Sequence, residues 1–321
     1  MGMVSDFIDG IGEWFNDTIQ NILCNGIEGC FENVQSVLTT TYASATDTDG
    51  LMAAFLTKHP AKFTGTAAGA GNMPVSGLWR TIETLCNNVI VPIAGFILTV
   101  ILLNELIQMV IRGNNFKDFD DSIFIKWIIK AVCGIVLVSN SYYIASALLG
   151  FGSNACANGI ETILGQTSLS STNYAESFSK TLRGGAYDNG ELLIMLLLSF
   201  IIMVAIFALT VAIILIMASR MIQIFMYLGV SPIPMATMMN ESWNSIGKNW
   251  IKNMIALSFQ GIFIIIALGI FKSIFNVVIA SVSKAEDGVI MSMLMLAGYT
   301  AALIYTVIGS GNISKSIFNA S

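Results

Sequence analysis

From Leu192 to Ser219 the chain runs without one charged residue. As a helix rising 1.5 Å per residue this stretch spans about 40 Å, against roughly 30 Å for the hydrocarbon core of a bilayer. Further apolar stretches run over Val89–Ile111, Ile123–Leu149, Ile251–Phe271 and Val289 to about Ser310. One water-facing core has no room for so many. In lipid, every peptide N–H and C=O must be paired, which leaves only helices or closed barrels as spanning structures. Runs this long, without alternation of polar residues, predict helices. The fold class is all-α, a polytopic transmembrane bundle of about five spans.

Composition agrees. Hydrophobic residues make up 55% of the 321 and charged residues 11%, where a soluble domain carries about 25% charged. Net charge is −5, so no basic field holds nucleic acid by counterion release. The cysteines at 24, 30, 86, 133 and 156 form no CxxC pair, and His59 is the only histidine. A Cys/His zinc set is therefore not formed, and no metal or cofactor is expected. A disulfide between Cys24 and Cys30, or from either to Cys156, stays open beside reduced, buried thiols. No GxxxxGK loop, HExxH, GxSxG or intramembrane aspartate pair occurs. An enzyme is not expected.

Three regions follow. Residues 1–43 form an N-terminal amphipathic, extramembrane helical region. Val4, Phe7, Ile8, Ile11, Trp14, Phe15, Ile19, Ile22 and Leu23 recur at helical steps with acids between them, and a weaker stripe follows at Ile27, Phe31, Val34 and Leu38. These read as a helix pair. Residues 44–88 are a Thr-, Ala- and Gly-rich linker leading into the first span, and 89–321 are the membrane domain, with an outer loop at 150–190. Basic residues mark cytoplasmic loops. Arg112, Lys117, Lys126, Lys130, Lys248, Lys252 and Lys315 then give five crossings of a cell membrane, N-terminus outside and C-terminus cytoplasmic. Arg220 marks the inner end of the third span.

Between Arg220 and Lys248 lies Ser231-Pro232-Ile233-Pro234-Met235. Prolines two apart remove backbone donors and break a helix, so this segment is expected to dip without crossing. Irregular backbone at membrane depth needs protein or a wet cavity beside it.

The stretch Arg220–Gly261, with Arg220, Pro232, Pro234, Met235, Asn240, Glu241, Trp243, Gly247, Gln260 and Gly261, resembles the TrbL/VirB-type polytopic subunits of Gram-positive conjugal type IV secretion systems. The resemblance implies an inner-membrane channel or assembly subunit that supports DNA or protein transfer. The partners it implies are transfer ATPases, surface-exposed components, further copies of the chain and the translocated DNA or protein. It also makes a structural ion pair of Arg220 with Glu241 an expectation. Asn104, Glu105 and Gln108, near the inner end of the first span, are candidate polar lining, with Glu105 pairing to Arg112 as the plainer reading. The alternative function is a secondary transporter acting alone, which a broken helix also suits. No second broken segment or internal repeat accompanies it.

Overall fold

A computed structural model of the chain describes residues 2–46, 56, 75–112, 121–163, 174–185, 187–240, 242–284 and 288–320. The elements are α1 (Gly2–Thr46), α2 (Val75–Leu85), a π-helical turn (Cys86–Ile90), α3 (Val91–Arg112), α4 (Asp121–Ser139), α5 (Ser141–Ile163), α6 (Tyr174–Gly184), α7 (Asn189–Gly229), α8 (Pro232–Thr237), α9 (Asn244–Lys284) and α10 (Val289–Ile317). No strand occurs among the described residues. The linker expected over 44–77 lies almost wholly outside them.

Among the described residues, four helices are long and apolar enough to cross a membrane: Leu78–Ile111, Asn189–Gly229, Asn244–Val278 and Val289–Ile317. Phe124–Ser139 and Ser141–Ile163 pass the same test together, bent by 65°, and count as a fifth span if taken as one. The expected straight second span is thus broken at Asn140. No proline or glycine causes this. Asn140 N–H keeps its bond to Val136 O at 3.0 Å, and the side-chain amide donates to the same carbonyl at 2.9 Å, a local bond of the kind that accompanies bends in helices. The long helices also start earlier or end later than their apolar stretches. α7 and α9 each have 41 residues, about 60 Å of helix, twice a hydrocarbon core.

The chain divides into two compact units. The first joins residues 1–47, 160–215 and 264–308. Here α1 is one helix of 45 residues, not the expected pair. It runs beside α7 in the same direction. Asn189 donates its amide to Asn16 at 2.5 Å, and the hydroxyls of Thr41 and Thr210 lie 3.3 Å apart. A Cβ on Gly26 would stand 2.9 Å from Leu196 Cδ1, so glycine sets this approach. Cys24, Ile27, Phe31, Val34, Leu38 and Thr41 are buried, at alternating three- and four-residue steps. α6, within the expected outer loop, packs on α1 through the Phe31 and Phe178 rings, 4.1 Å apart. Arg183 donates to Asn25 at 2.8 Å and to Glu28 at 3.0 Å. Gln35 accepts from Ala175 N–H at the start of α6, 3.1 Å away. All five cysteines are free. Burial pushes the Cys24 thiol up, with Arg183 opposing and Glu28 adding to the shift.

The second unit joins residues 48–159, 216–263 and 309–321. Its core gathers Leu98 of α3, Val138 of α4, Tyr142 and Leu149 of α5, Leu228 of α7, Met235 and Ala236 of α8, and Trp250 and Met254 of α9. Short α8 packs on α3, α4 and the π turn.

Replacing Phe178 with alanine is expected to cost about 3–5 kcal/mol, the range for a buried phenylalanine. Glu28→Gln, acting on a half-exposed ion pair, is expected to cost at most about 1 kcal/mol. Thermal denaturation of the purified protein in mild detergent separates the two.

A candidate functional site around the proline helix

α7 does not end at Arg220. It continues to Gly229, where a turn at Val230–Ser231 precedes α8. Ser231 N–H still reaches Leu228 O at 3.2 Å, and Ile233 N–H reaches Val230 O at 3.2 Å. Pro232 and Pro234 therefore do not interrupt a helix, as the sequence suggested. They occupy the first turn of a new one, where N–H groups have no intrahelical acceptor and proline is tolerated. Thr237 closes the element by donating its hydroxyl to Pro234 O, 2.8 Å away. Six residues are too few to cross a membrane.

A second irregularity meets the first. Pro92 lies inside one continuous helical run that begins at Val75. Proline there removes a donor and crowds the carbonyl four residues back. The turn before it widens to π geometry over Cys86–Ile90, with Val91 N–H reaching back to Cys86 O. Cys86, at the head of this wide turn, places Sγ 3.9 Å from Ser231 Oγ, and both residues are buried. Such π turns are common at functional sites.

Arg220 is 5% exposed. Its Nε donates to Leu257 O at 2.9 Å and its Nη2 to Ser258 O at 3.0 Å, both on α9. The neighbouring helices are cut back to admit it. A Cβ on Gly152 of α5 would lie 2.5 Å from Ser258 Cβ and 2.7 Å from Ser258 O. A Cβ on Gly261 would lie 2.8 Å from Cys156 Sγ and 3.0 Å from Arg220 Nη1. Gly152, Ser153 and Cys156 on one helix thus face Ser258 and Gly261 on another, the small-residue seam that lets membrane helices approach closely. Glu241, the expected ion-pair partner, lies outside the described residues.

The other motif residues also have definite surroundings. Met235 is buried in the core beneath α8. Asn240 Oδ1 accepts from the N–H groups of Ser242 and Trp243 at 2.8 and 3.2 Å, a cap for the chain entering α9. Trp243 is half exposed. A Cβ on Gly247 would stand 2.5 Å from Pro234 O, so α9 touches the backbone of α8 there. Gln260 donates to Ser310 Oγ at 3.4 Å, and Ser314 donates to Ala256 O at 2.5 Å, joining α9 to the end of α10. Of the candidate lining residues, Asn104 and Gln108 are exposed, while Glu105 pairs with Lys130 of α4; the side chain of Arg112, its expected partner, lies outside the described ones. Trp127 Nε1 braces the same hairpin by donating to Leu102 O at 3.2 Å. The sequence offered no signal for the Gly152 contact, the π turn or the Lys130 pairing.

Arg220 and the glycine contacts thus join α5, α7 and α9, and the proline-started α8 packs on α3 and α4 and touches α9. The family described as TrbL/VirB6 plasmid conjugal transfer like protein matches residues 58–232, more than half the chain. The chain belongs to this family. No curated protein and no solved structure matches it. The TrbL/VirB6 match includes Arg220 and Pro232 but ends before Pro234. It therefore overlaps the Arg220–Gly261 stretch only at its start, and membership is carried mainly by the helices that precede and surround α8.

Gly152→Ala is expected to destabilise more than Gly261→Ala. Backbone of Ser258 blocks the first, whereas side chains that can shift face the second, with overpacking worth about 1–3 kcal/mol. Gly95→Ala, into open space, is expected to be neutral or to gain up to about 1 kcal/mol. Melting temperatures of the three variants give the order.

Proposed function

We propose that this TrbL/VirB6-family protein is a non-enzymatic subunit of a conjugative type IV secretion system in the cytoplasmic membrane. It helps form the passage, or the base on which the conduit is assembled, for DNA or protein. The observation that carries this reading is the family match over a chain rich in membrane-crossing helices.

The orientation proposed is N-terminus outside and C-terminus cytoplasmic. Packing of α1 on α6 supports it, because two crossings between them return the chain to the same side. Lys252 Nζ donates to Asn319 O at 3.3 Å, which keeps the C-terminus beside the basic start of α9, where positive residues mark the cytoplasmic side. Assembly in several copies has its own support. Apolar residues are exposed along α7 from Leu193 to Met226, about 50 Å of helix. Even a 40° tilt leaves roughly 40 Å, more than lipid covers. Asn104 and Gln108, exposed on an apolar helix, likewise suit a protein or water neighbour better than lipid. Transfer ATPases and surface-exposed components are the further partners proposed.

A clean in-frame deletion is expected to reduce transfer of the conjugative element to background with no growth defect, and expression in trans is expected to restore it. Normal transfer from the deletion strain contradicts the proposal. Solute transport by the purified chain alone in liposomes supports the transporter alternative.

A further inference from the structure

α1 presents its two apolar stripes on opposite sides. The stripe Cys24, Ile27, Phe31, Val34, Leu38 is buried in the first unit. The earlier stripe is not: Ile11 is 51% exposed, Trp14 67%, Phe15 60% and Ile22 65%. At 100° per residue the two stripes point about 180° apart. In its first half α1 turns polar residues to its own chain, where Asn16 meets Asn189 and Gln20 donates to Tyr187 O at 3.3 Å. Its apolar side points away. A helix whose inward face is polar and whose outward face is apolar is shaped for a neighbour other than its own chain.

The spacing of the outward stripe names the neighbour. Ile11, Phe15, Thr18 and Ile22 fall at four-, three- and four-residue steps, and in the sequence Val4 and Ile8 extend the same register. With Ile8, Phe15 and Ile22 as position a, and Val4, Ile11 and Thr18 as position d, this is a coiled-coil heptad. Asp6, Asp9, Glu13 and Asp17 then fall at f, b, f and c, all off the seam, so an identical helix can approach without bringing acids into contact. Identical copies also meet in the required geometry. α1 runs parallel to membrane helix α7 and is fixed to it at Asn16–Asn189 and Thr41–Thr210. Copies inserted in one membrane therefore present α1 in one direction and at one height, which sets a parallel seam in register. No Lys or Arg precedes Lys58, so the polar side of this segment carries no basic side chain to draw it onto anionic lipid.

We infer that residues 4–22 of α1 form a parallel coiled-coil seam with the same segment of further copies of this chain. The seam rests on the multi-copy assembly proposed above and supplies its contact.

The test places photoreactive benzoylphenylalanine at Phe15, Ile22 or Glu13 of the full-length chain. Two differently tagged copies are co-expressed in their own membrane and irradiated. Positions 15 and 22 are expected to give adducts containing both tags, and position 13, on the opposite face, none. Ile11→Asp is expected to lower the adduct at position 22 by about tenfold, as loss of some 1.4 kcal/mol in the seam implies. Adducts of positions 15 and 22 only with lipid or another protein, or equal copy-to-copy yield at all three positions, overturn the seam. If no copy-to-copy adduct forms while the variants transfer normally and migrate as oligomers on native gels, the seam is wrong and the proposed function stands.

Discussion

Lipid offers the peptide group no hydrogen bond, and each unpaired N–H or C=O at membrane depth costs several kcal/mol. That one requirement shapes the described chain. It explains why every regular element is helical and why each departure from a regular helix comes with a local repair. At Asn140 the main-chain bonds run on through the bend, from Asn140 N–H to Val136 O and from Ile144 N–H to Asn140 O, both at 3.0 Å. At Pro92 the turn widens so that Val91 N–H still finds Cys86 O. At Ser231 the chain keeps short-range bonds to Leu228 and Val230 before the prolines enter a new first turn. The irregular places are then packed together, with Cys86 against Ser231 and α8 over the π turn.

Close approach is the second theme, and it depends on missing side chains. Gly152 and Gly261 let α5 and α9 meet around Arg220, and Gly247 lets α9 touch the backbone of α8. A buried guanidinium is expensive in lipid. Here two helix carbonyls receive it, and in exchange it ties α7 to α9. Apolar residues on α7 and on the first half of α1 are exposed in the described chain.

Hydropathy made the spans legible, because charge-free runs such as Leu192–Ser219 have few other uses. Their ends were less so, since α7 and α9 stay helical well past the apolar stretch where protein packing replaces lipid. Periodicity found α1 but not its faces. The strong stripe through Ile11, Phe15 and Ile22 is exposed, and the weaker one through Ile27, Phe31 and Leu38 is buried, because spacing reports that one side is apolar and not what covers it. Glycine in the sequence does not by itself mark a close approach: Gly298 has open space around it, whereas Gly152, Gly247 and Gly261 are in tight contacts. Those contacts join residues distant in sequence, as does the pairing of Glu105 with Lys130. A single chain read in order carries no signal for either.

The central claim is a chain that threads the membrane an odd number of times while the proline helix stays on the side it entered. Cysteine accessibility reads this most directly. Thr167→Cys and Ser245→Cys are labelled with a membrane-impermeant maleimide, with the unsubstituted chain as background. The account predicts that position 167 reacts in intact cells and that position 245 reacts only after permeabilisation. Reaction of both from the same face contradicts it.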